Sequence, residues 1–171
     1  MQTSQCNGID LAYRTNIPTV NEDGPILTAR AFGLAIRNFT EEFFHGAVAC
    51  DCVDSGARLF VSRESLSLLL TAIIAKLSTL GFCKISYSAA HGVLNVDFTV
   101  EGSENFDSAW RAELFAYANK YGFTISRIEN GVRILVPASD GAQTSLRSNG
   151  YDDFLDLMRT AYRIFNITQS N

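Results

Sequence analysis

Histidine is scarce in this sequence, which contains only two, His45 and His91. His45 stands at a predicted helix end, and His91 lies beside Gly92 in a predicted turn. Nucleophilic catalysis of the serine type needs a base within hydrogen-bond reach of the nucleophile. Two histidines near turns leave almost no base to recruit, so no Ser–His–Asp arrangement can be proposed.

Cysteine is also sparse, and its spacing does not suggest a disulfide framework. Cys50 and Cys52 would share one face of a strand, but no histidine or second cysteine pair stands nearby to complete a zinc site. We therefore predict buried or half-buried free thiols. A metal or redox role is the alternative. The four cysteines are Cys6, Cys50, Cys52 and Cys83.

Long apolar runs and clustered positive charges are missing as well. The leucine-rich stretch from Leu66 to Leu70 contains Ser67 and is too short to span a bilayer, and Lys76 interrupts its extension. Residues 1–5 lack the charged start and apolar core of a signal peptide. The net charge is −4 and no basic stripe is visible. The sequence therefore predicts a cytoplasmic protein that binds neither membrane nor nucleic acid.

What the chain does contain is enough apolar sequence for one globular core. It has 171 residues, of which 47% are hydrophobic and 19% charged. The pattern predicts a flexible arm over residues 1–24 and an N-terminal helix within residues 25–45. An α/β sandwich is predicted over 46–137, and a polar loop with a C-terminal helix over 138–171.

The N-terminal helix carries an aromatic stripe. From Pro25 to Phe44, apolar residues recur at spacings of three and four, which indicates an amphipathic helix. The stripe can pack against the core of its own domain, or it can form the seam of a homodimer. The residues of this predicted face are Phe32, Ile36, Phe39 and Phe43.

The remaining elements follow from caps, turn residues and alternation. Ser62 is a predicted N-cap, and Gly81 is predicted to close that helix in the left-handed region. The Asn130-Gly131 pair is a strong hairpin signal. Strands are predicted at 47–53, 57–61, 82–88, 94–100, 123–128 and 132–136, and helices at 62–80, 107–121 and 151–165. This order predicts an α+β fold, a two-layer sandwich of a mixed β-sheet with helices on one face.

Parts of this pattern resemble the ATP-binding domain of histidine kinases and their relatives, the GHKL ATPases. Residues 62–76, SRESLSLLLTAIIAK, are similar to the helix that carries the family's magnesium-binding Asn. Residues 94–102, LNVDFTVEG, are similar to the strand that ends in its adenine-binding Asp-x-Gly turn. Residues 112–131 are similar to its last helix and closing hairpin. The resemblance covers roughly 46–137 and implies the histidine-kinase-like ATPase fold.

The departures from that family fall where its nucleotide chemistry should be. Ile73 stands at the position of the magnesium-binding Asn, and an alkyl side chain offers no oxygen ligand. Val100 stands at the position of the adenine-binding Asp, next to Glu101 and Gly102; a slip of one residue would put Glu101 there instead. The glycine-rich lid is absent from residues 105–110. The resemblance thus implies a degenerate nucleotide site with no cofactor, and with ATP and Mg²⁺ only if the site is functional.

The resemblance therefore favours a non-catalytic domain that acts as a protein-interaction or regulatory module with a protein partner. One alternative is an ATP-binding GHKL protein, which as an enzyme would be an ATP-dependent transferase. A second alternative is a signalling protein of the histidine-phosphotransferase type. His45, close to Glu41 and Glu42, would be its phosphoacceptor, although its position at a helix end favours a cap or surface role. A third alternative is an unrelated α+β domain.

Overall fold

Four helices and five strands are present in the part of the chain that the computed structural model describes, residues 26–101, 108–139 and 150–170. The predicted α+β fold is confirmed at this level. The elements, in chain order, are α1 (Ala29–Phe43), β1 (Val48–Cys50), α2 (Arg63–Leu80), β2 (Cys83–Ala90), β3 (Val93–Val100), α3 (Ser108–Lys120), β4 (Thr124–Ile128), β5 (Gly131–Pro137) and α4 (Tyr151–Ser170).

The five strands form one mixed sheet in the order β1-β2-β3-β5-β4. β1 is parallel to β2 because α2 carries the chain between them, whereas the other neighbours are antiparallel. The β2–β3 hairpin turns at Gly92, whose φ is +75°, and the β4–β5 hairpin turns at Asn130, whose φ is 59°. Asn and Gly both tolerate this left-handed region. The predicted hairpin at Asn130-Gly131 is confirmed.

The two faces of the sheet differ in chemistry. Ile85, Phe98 and Val132 lie side by side on three strands and are fully buried. On the other face, Arg133 holds the neighbouring Asp97, with its Nε and Nη2 atoms donating to the two carboxylate oxygens at 2.7 and 2.9 Å. One face therefore packs against apolar side chains while the other is polar, which is compatible with a two-layer sandwich.

α2 is largely buried. Ser62 caps it as predicted, since its Oγ accepts a hydrogen bond from the backbone N–H of Ser65. α4 covers α2 on one side, where Thr71 contacts Met158 across the two helices. α4 also reaches α1, where the rings of Phe154 and Phe32 lie 5.4 Å apart. The buried residues of the helices and of the sheet form one continuous core.

The predicted strand over residues 57–61 is wrong, and the strand predicted over 47–53 is shortened to Val48–Cys50. Within residues 57–61, only two isolated β-bridges form: Arg58 pairs with Thr28, and Leu59 pairs with Ala138. Its backbone groups bond on one side to residues at the start of α1 and on the other to Pro137 and Ser139 at the end of β5. The carbonyl of Ala57 accepts from the N–H of Ala29 at 2.8 Å. The segment therefore connects the start of α1 to the end of β5 and does not form a strand of the sheet.

The predicted left-handed conformation of Gly81 is also wrong. Its φ is 164°, which is extended backbone, because the chain passes from α2 almost directly into β2. Glycine is suited to this position for another reason. A Cβ there would lie 3.0 Å from the carbonyl oxygen of Glu101 and 3.1 Å from Cγ1 of Val100. The glycine thus permits a close approach between the end of α2 and the end of β3.

Two helix boundaries differ from the predicted ones. α1 begins at Ala29 instead of Pro25, because the Thr28 side chain caps it by accepting from the N–H of Ala31 at 3.2 Å. α4 extends to Ser170, beyond the predicted end at residue 165. The predicted flexible arm, residues 1–24, lies outside the described residues. So does most of the predicted polar loop, residues 140–149.

Candidate functional site

Ile73 and Val100, the two positions compared with the magnesium-binding Asn and adenine-binding Asp, are both core residues. Ile73 is 0% exposed on α2, and Val100 is 1% exposed at the end of β3. Neither side chain carries a donor or acceptor, so neither can ligate Mg²⁺ or recognise an adenine amino group. Both side chains belong to the hydrophobic core, and Val100 also borders a small cavity.

The end of β3 borders only a small cavity. Glu101 is exposed, and its N–H donates to the carbonyl of Phe82 at 2.9 Å. Gly102 lies outside the described residues. The cavity has a volume of about 280 Å³, just below the roughly 300 Å³ at which ligand pockets begin. Its charged lining residues are Glu101, Glu129 and Lys84, a net negative set that disfavours a triphosphate.

A larger groove lies over α2, between α3 and α4. Its volume is about 780 Å³, within the range typical of ligand and peptide sites. We call it the helix groove. It is lined by Leu68, Ala72, Ala75 and Lys76 of α2, Glu113 and Tyr117 of α3, and Tyr162, Ile164 and Phe165 of α4, among others.

The floor of the helix groove is a stripe along α2. Leu68, Ala72, Ala75 and Thr79 recur at spacings of three and four, so they share one side of the helix. This stripe is about 17 Å long at 1.5 Å per residue. The two alanines are half-buried, and their small side chains leave space above α2. On the wall formed by α4, Ile164 is 53% exposed.

The charged groups of the groove are few, although several hydroxyl groups also line it. Lys76 and Glu113 supply one charge of each sign, and neither makes an ion pair with another residue that the structure describes. Burial, followed by the neighbouring Tyr121, raises the pKa of Tyr117 to about 12. Tyr117 therefore keeps its hydroxyl proton at neutral pH. An apolar floor with a few placed polar groups fits the recognition of a short apolar segment.

The predicted dimer face of α1 lies in the chain's own core. Phe32, Ile36 and Phe39 are 0% exposed. Phe43 is half-buried, with its ring 4.8 Å from the ring of Tyr162 on α4. The first of the two sequence alternatives, packing within the domain, therefore describes these residues. A homodimer that used this stripe would have to separate α1 from α4.

His45 is exposed just beyond the end of α1. Its Nδ1 lies 2.7 Å from Oε1 of Glu41, one helical turn earlier. A carboxylate on one ring nitrogen orients the imidazole and leaves the other nitrogen free to react. The structure thus places Glu41, rather than Glu42, beside this histidine; Glu42 pairs with Arg159 instead.

The cysteines in the described ranges are free thiols, as predicted, but the predicted burial is wrong for Cys52, which is exposed. Cys83 is buried, and burial raises its pKa to about 12. Cys50 is half-buried, with its sulfur 3.4 Å from the hydroxyl of Tyr87, and burial raises its pKa to about 11. Cys52 is exposed, and its sulfur accepts a hydrogen bond from Arg37 at 3.1 Å. Cys6 lies outside the described residues.

No group of three or more His, Cys, Asp or Glu side chains in residues 26–101, 108–139 and 150–170 could hold a metal ion. Within the same ranges, every helix is too short or too polar to cross a membrane.

The helix groove is the part of the site that sequence reasoning missed. Ala72 and Ala75 could have indicated the groove, because they put two small side chains together on a helix otherwise rich in leucine and isoleucine. Their exposure depends on how far apart α3 and α4 stand, which is a tertiary property. Comparison with models of protein families, with curated proteins and with solved structures finds no match.

Proposed function

We propose that this chain is a non-catalytic protein-interaction or regulatory module built on a histidine-kinase-like scaffold. The observation that carries the proposal is the burial of Ile73 and Val100. Both are apolar residues at the positions compared with the magnesium-binding and adenine-binding residues of GHKL ATPases. A nucleotide would need both positions to be polar and open. The scaffold is retained in this interpretation, and its cleft has become core.

The helix groove is the surface through which such a module would act. It is apolar, open to solvent and about 17 Å long, enough for three turns of a helix or for five extended residues. We propose that its ligand is a short apolar segment of a protein partner, with an acidic group to meet Lys76 and a basic group to meet Glu113. Burial of apolar side chains would supply most of the affinity, at about 25 cal/mol per Å² before ordering costs.

The experiment is a peptide selection against the full chain, followed by calorimetry on two variants. Ala75→Trp fills the floor of the groove, whereas Ala116→Trp places the same side chain on an exposed position of α3 outside the groove lining. Selected peptides should contain two or three apolar residues. Their affinity should fall about tenfold or more, at least 1.4 kcal/mol, for Ala75→Trp and stay unchanged for Ala116→Trp.

Two results would contradict the proposal. The first is a selection that yields only peptides whose affinity is equal for Ala75→Trp and the unaltered chain. The second is a selection that yields no binding peptide at all. Circular dichroism of both variants is the control, because the comparison requires that each retains its helical content.

A second candidate function rests on the contact between His45 and Glu41. An exposed imidazole oriented by a carboxylate is suited to accept a phosphoryl group, as in a signalling protein of the histidine-phosphotransferase type. Incubation with phosphoramidate, a small phosphoryl donor, tests this. An acid-labile phosphoryl adduct on His45 that Glu41→Gln slows would support it. Equal labelling of His45 and His91, unaffected by Glu41→Gln, would exclude a special role for this pair.

A further inference from the structure

We propose that the chain's own residues Ile9–Arg14 occupy the helix groove and compete there with the partner. This inference rests on the proposed function, because it assigns a regulatory ligand to the same surface. The groove would then be self-covered until a partner segment displaces the N-terminal residues.

The groove presents an apolar surface with one charge of each sign. Leu68, Ala72 and Ile164 leave apolar surface in contact with solvent, although most large apolar side chains of the described residues are buried. Exposed apolar grooves of this kind mark interaction sites. Lys76 and Glu113 at its border lack ion-pair partners in the described residues.

The segment Ile9–Arg14, IDLAYR, has the complementary composition. Three large apolar side chains, Ile9, Leu11 and Tyr13, stand among small or charged residues. Asp10 and Arg14 supply one charge of each sign, as needed for Lys76 and Glu113. Six residues span at most about 20 Å, which matches the length of the groove floor. No other stretch of six residues within 1–25 combines three large apolar side chains with both charges.

The residues between Arg14 and Ile26 are numerous enough to span the distance from Ile26 to the helix groove. The carbonyl of Ile26 lies against Gly150, just before the start of α4. The groove begins near Tyr162 and Phe165, about 18–23 Å further along that helix. The residues between Arg14 and Ile26 reach up to about 40 Å when extended. The segment can therefore reach the groove of the same molecule, where its effective concentration is high.

Zero-length carbodiimide cross-linking of the full chain tests the inference, because it joins a carboxylate to an amine only when the two are in contact. The sequence contains three lysines, Lys76, Lys84 and Lys120, and only Lys76 lies in the groove. We expect peptide mapping to find Asp10 joined to Lys76, in preference to Lys84 and Lys120. Leu11→Asp should lower the yield of this link about tenfold or more, since it removes an apolar anchor. Ile17→Asp is the matched control and should leave the yield unchanged.

A mixture of isotopically labelled and unlabelled chains identifies the molecule that supplies the segment. Links within one isotopic form support the inference, and mixed links would overturn it in favour of a second copy. Absence of the Asp10–Lys76 link, or equal linking of Asp10 to all three lysines, would also overturn it.

Failure of this inference is separable from failure of the proposed function. If the link is absent but selected peptides still lose affinity for Ala75→Trp, the groove remains an interaction surface and only its self-coverage is wrong. If both hold, Leu11→Asp should bind the selected peptides more tightly than the unaltered chain does, because it relieves the competition.

Discussion

Phe39 of α1 packs edge-on against Tyr162 of α4, with ring centroids 5.8 Å apart and the ring planes at 81°. Edge-to-face geometry of this kind is favourable beyond the area that the two rings bury. Tyr162 also lines the helix groove. The same contact therefore holds α1 to α4 and fixes one wall of the candidate site.

We expect Phe39→Ala to lower the free energy of unfolding by about 3–5 kcal/mol, because it leaves a cavity in the core. Urea denaturation followed by circular dichroism measures the change. Leu34→Ala is the control on the opposite, exposed side of α1, where the side chain is 47% exposed, and should change stability by no more than about 0.5 kcal/mol. Similar losses for the two variants would show that α1 is not packed as described.

Ile73→Asn introduces the residue type that GHKL ATPases use to bind magnesium, and we expect it to destabilise the fold without creating nucleotide binding. A buried amide without partners adds an unmet hydrogen-bonding cost of about 1–3 kcal/mol to the lost packing. Ile73→Val is the control and should cost about 0.5–1.5 kcal/mol. An Ile73→Asn variant as stable as the Val variant would indicate that position 73 is open to solvent.

Stability should decline in alkaline solution as buried thiols ionise. The pKa of Cys50 is raised from 9.0 to about 11 and that of Cys83 from 9.0 to about 12, in both cases chiefly by burial. Between pH 9 and these values the unfolded chain loses the thiol protons while the folded chain keeps them. Stability is therefore full below pH 9 and falls as the pH rises.

Chemical denaturation at pH 8 and pH 10 measures this decline. A Cys50→Ala,Cys83→Ala double variant should be less stable at pH 8 and show a smaller loss on going to pH 10. An equal loss in the double variant would contradict the assignment to these thiols.

Two hairpin glycines should differ sharply in their tolerance of alanine. A Cβ on Gly131 would collide with the backbone carbonyl of Phe98 on β3, whereas a Cβ on Gly92 meets no atom within 4 Å and suffers only from its φ of +75°. Gly92→Ala should cost about 1 kcal/mol through strain. Gly131→Ala should cost clearly more, because β3 and β5 must separate locally. Thermal unfolding of both variants checks the order, and a reversed order would refute the β3–β5 packing.

The sequence predicted the elements whose signals are local. The Ser62 cap, the alternation along β3 and the Asn130-Gly131 turn each depend on a few neighbouring residues, and each was placed correctly. The segment 57–61 has strand-like composition, yet the carbonyl of Ala57 accepts from Ala29 at the start of α1 and that of Arg58 accepts from Ser139. Gly81 has the sequence signature of a left-handed cap, but a direct exit into β2 makes it extended.

The candidate site was only half predictable. The apolar character of Ile73 and Val100 is visible in the sequence, and the structure adds that both are buried. The helix groove was not visible, because it arises from the gap between α3 and α4 over Ala72 and Ala75. The aromatic stripe of α1 was compatible with two packing partners, and only the position of α4 decides between them.

The most direct test of the central proposal, that the positions compared with a nucleotide site are packed core, is a titration of the full chain with a fluorescent ATP analogue in the presence of magnesium. With Ile73 and Val100 buried, we expect no saturable binding below about 1 mM, the weak limit near 4 kcal/mol of binding free energy. Saturable binding in the micromolar range that unlabelled ATP displaces would contradict the claim and favour an ATP-binding GHKL protein.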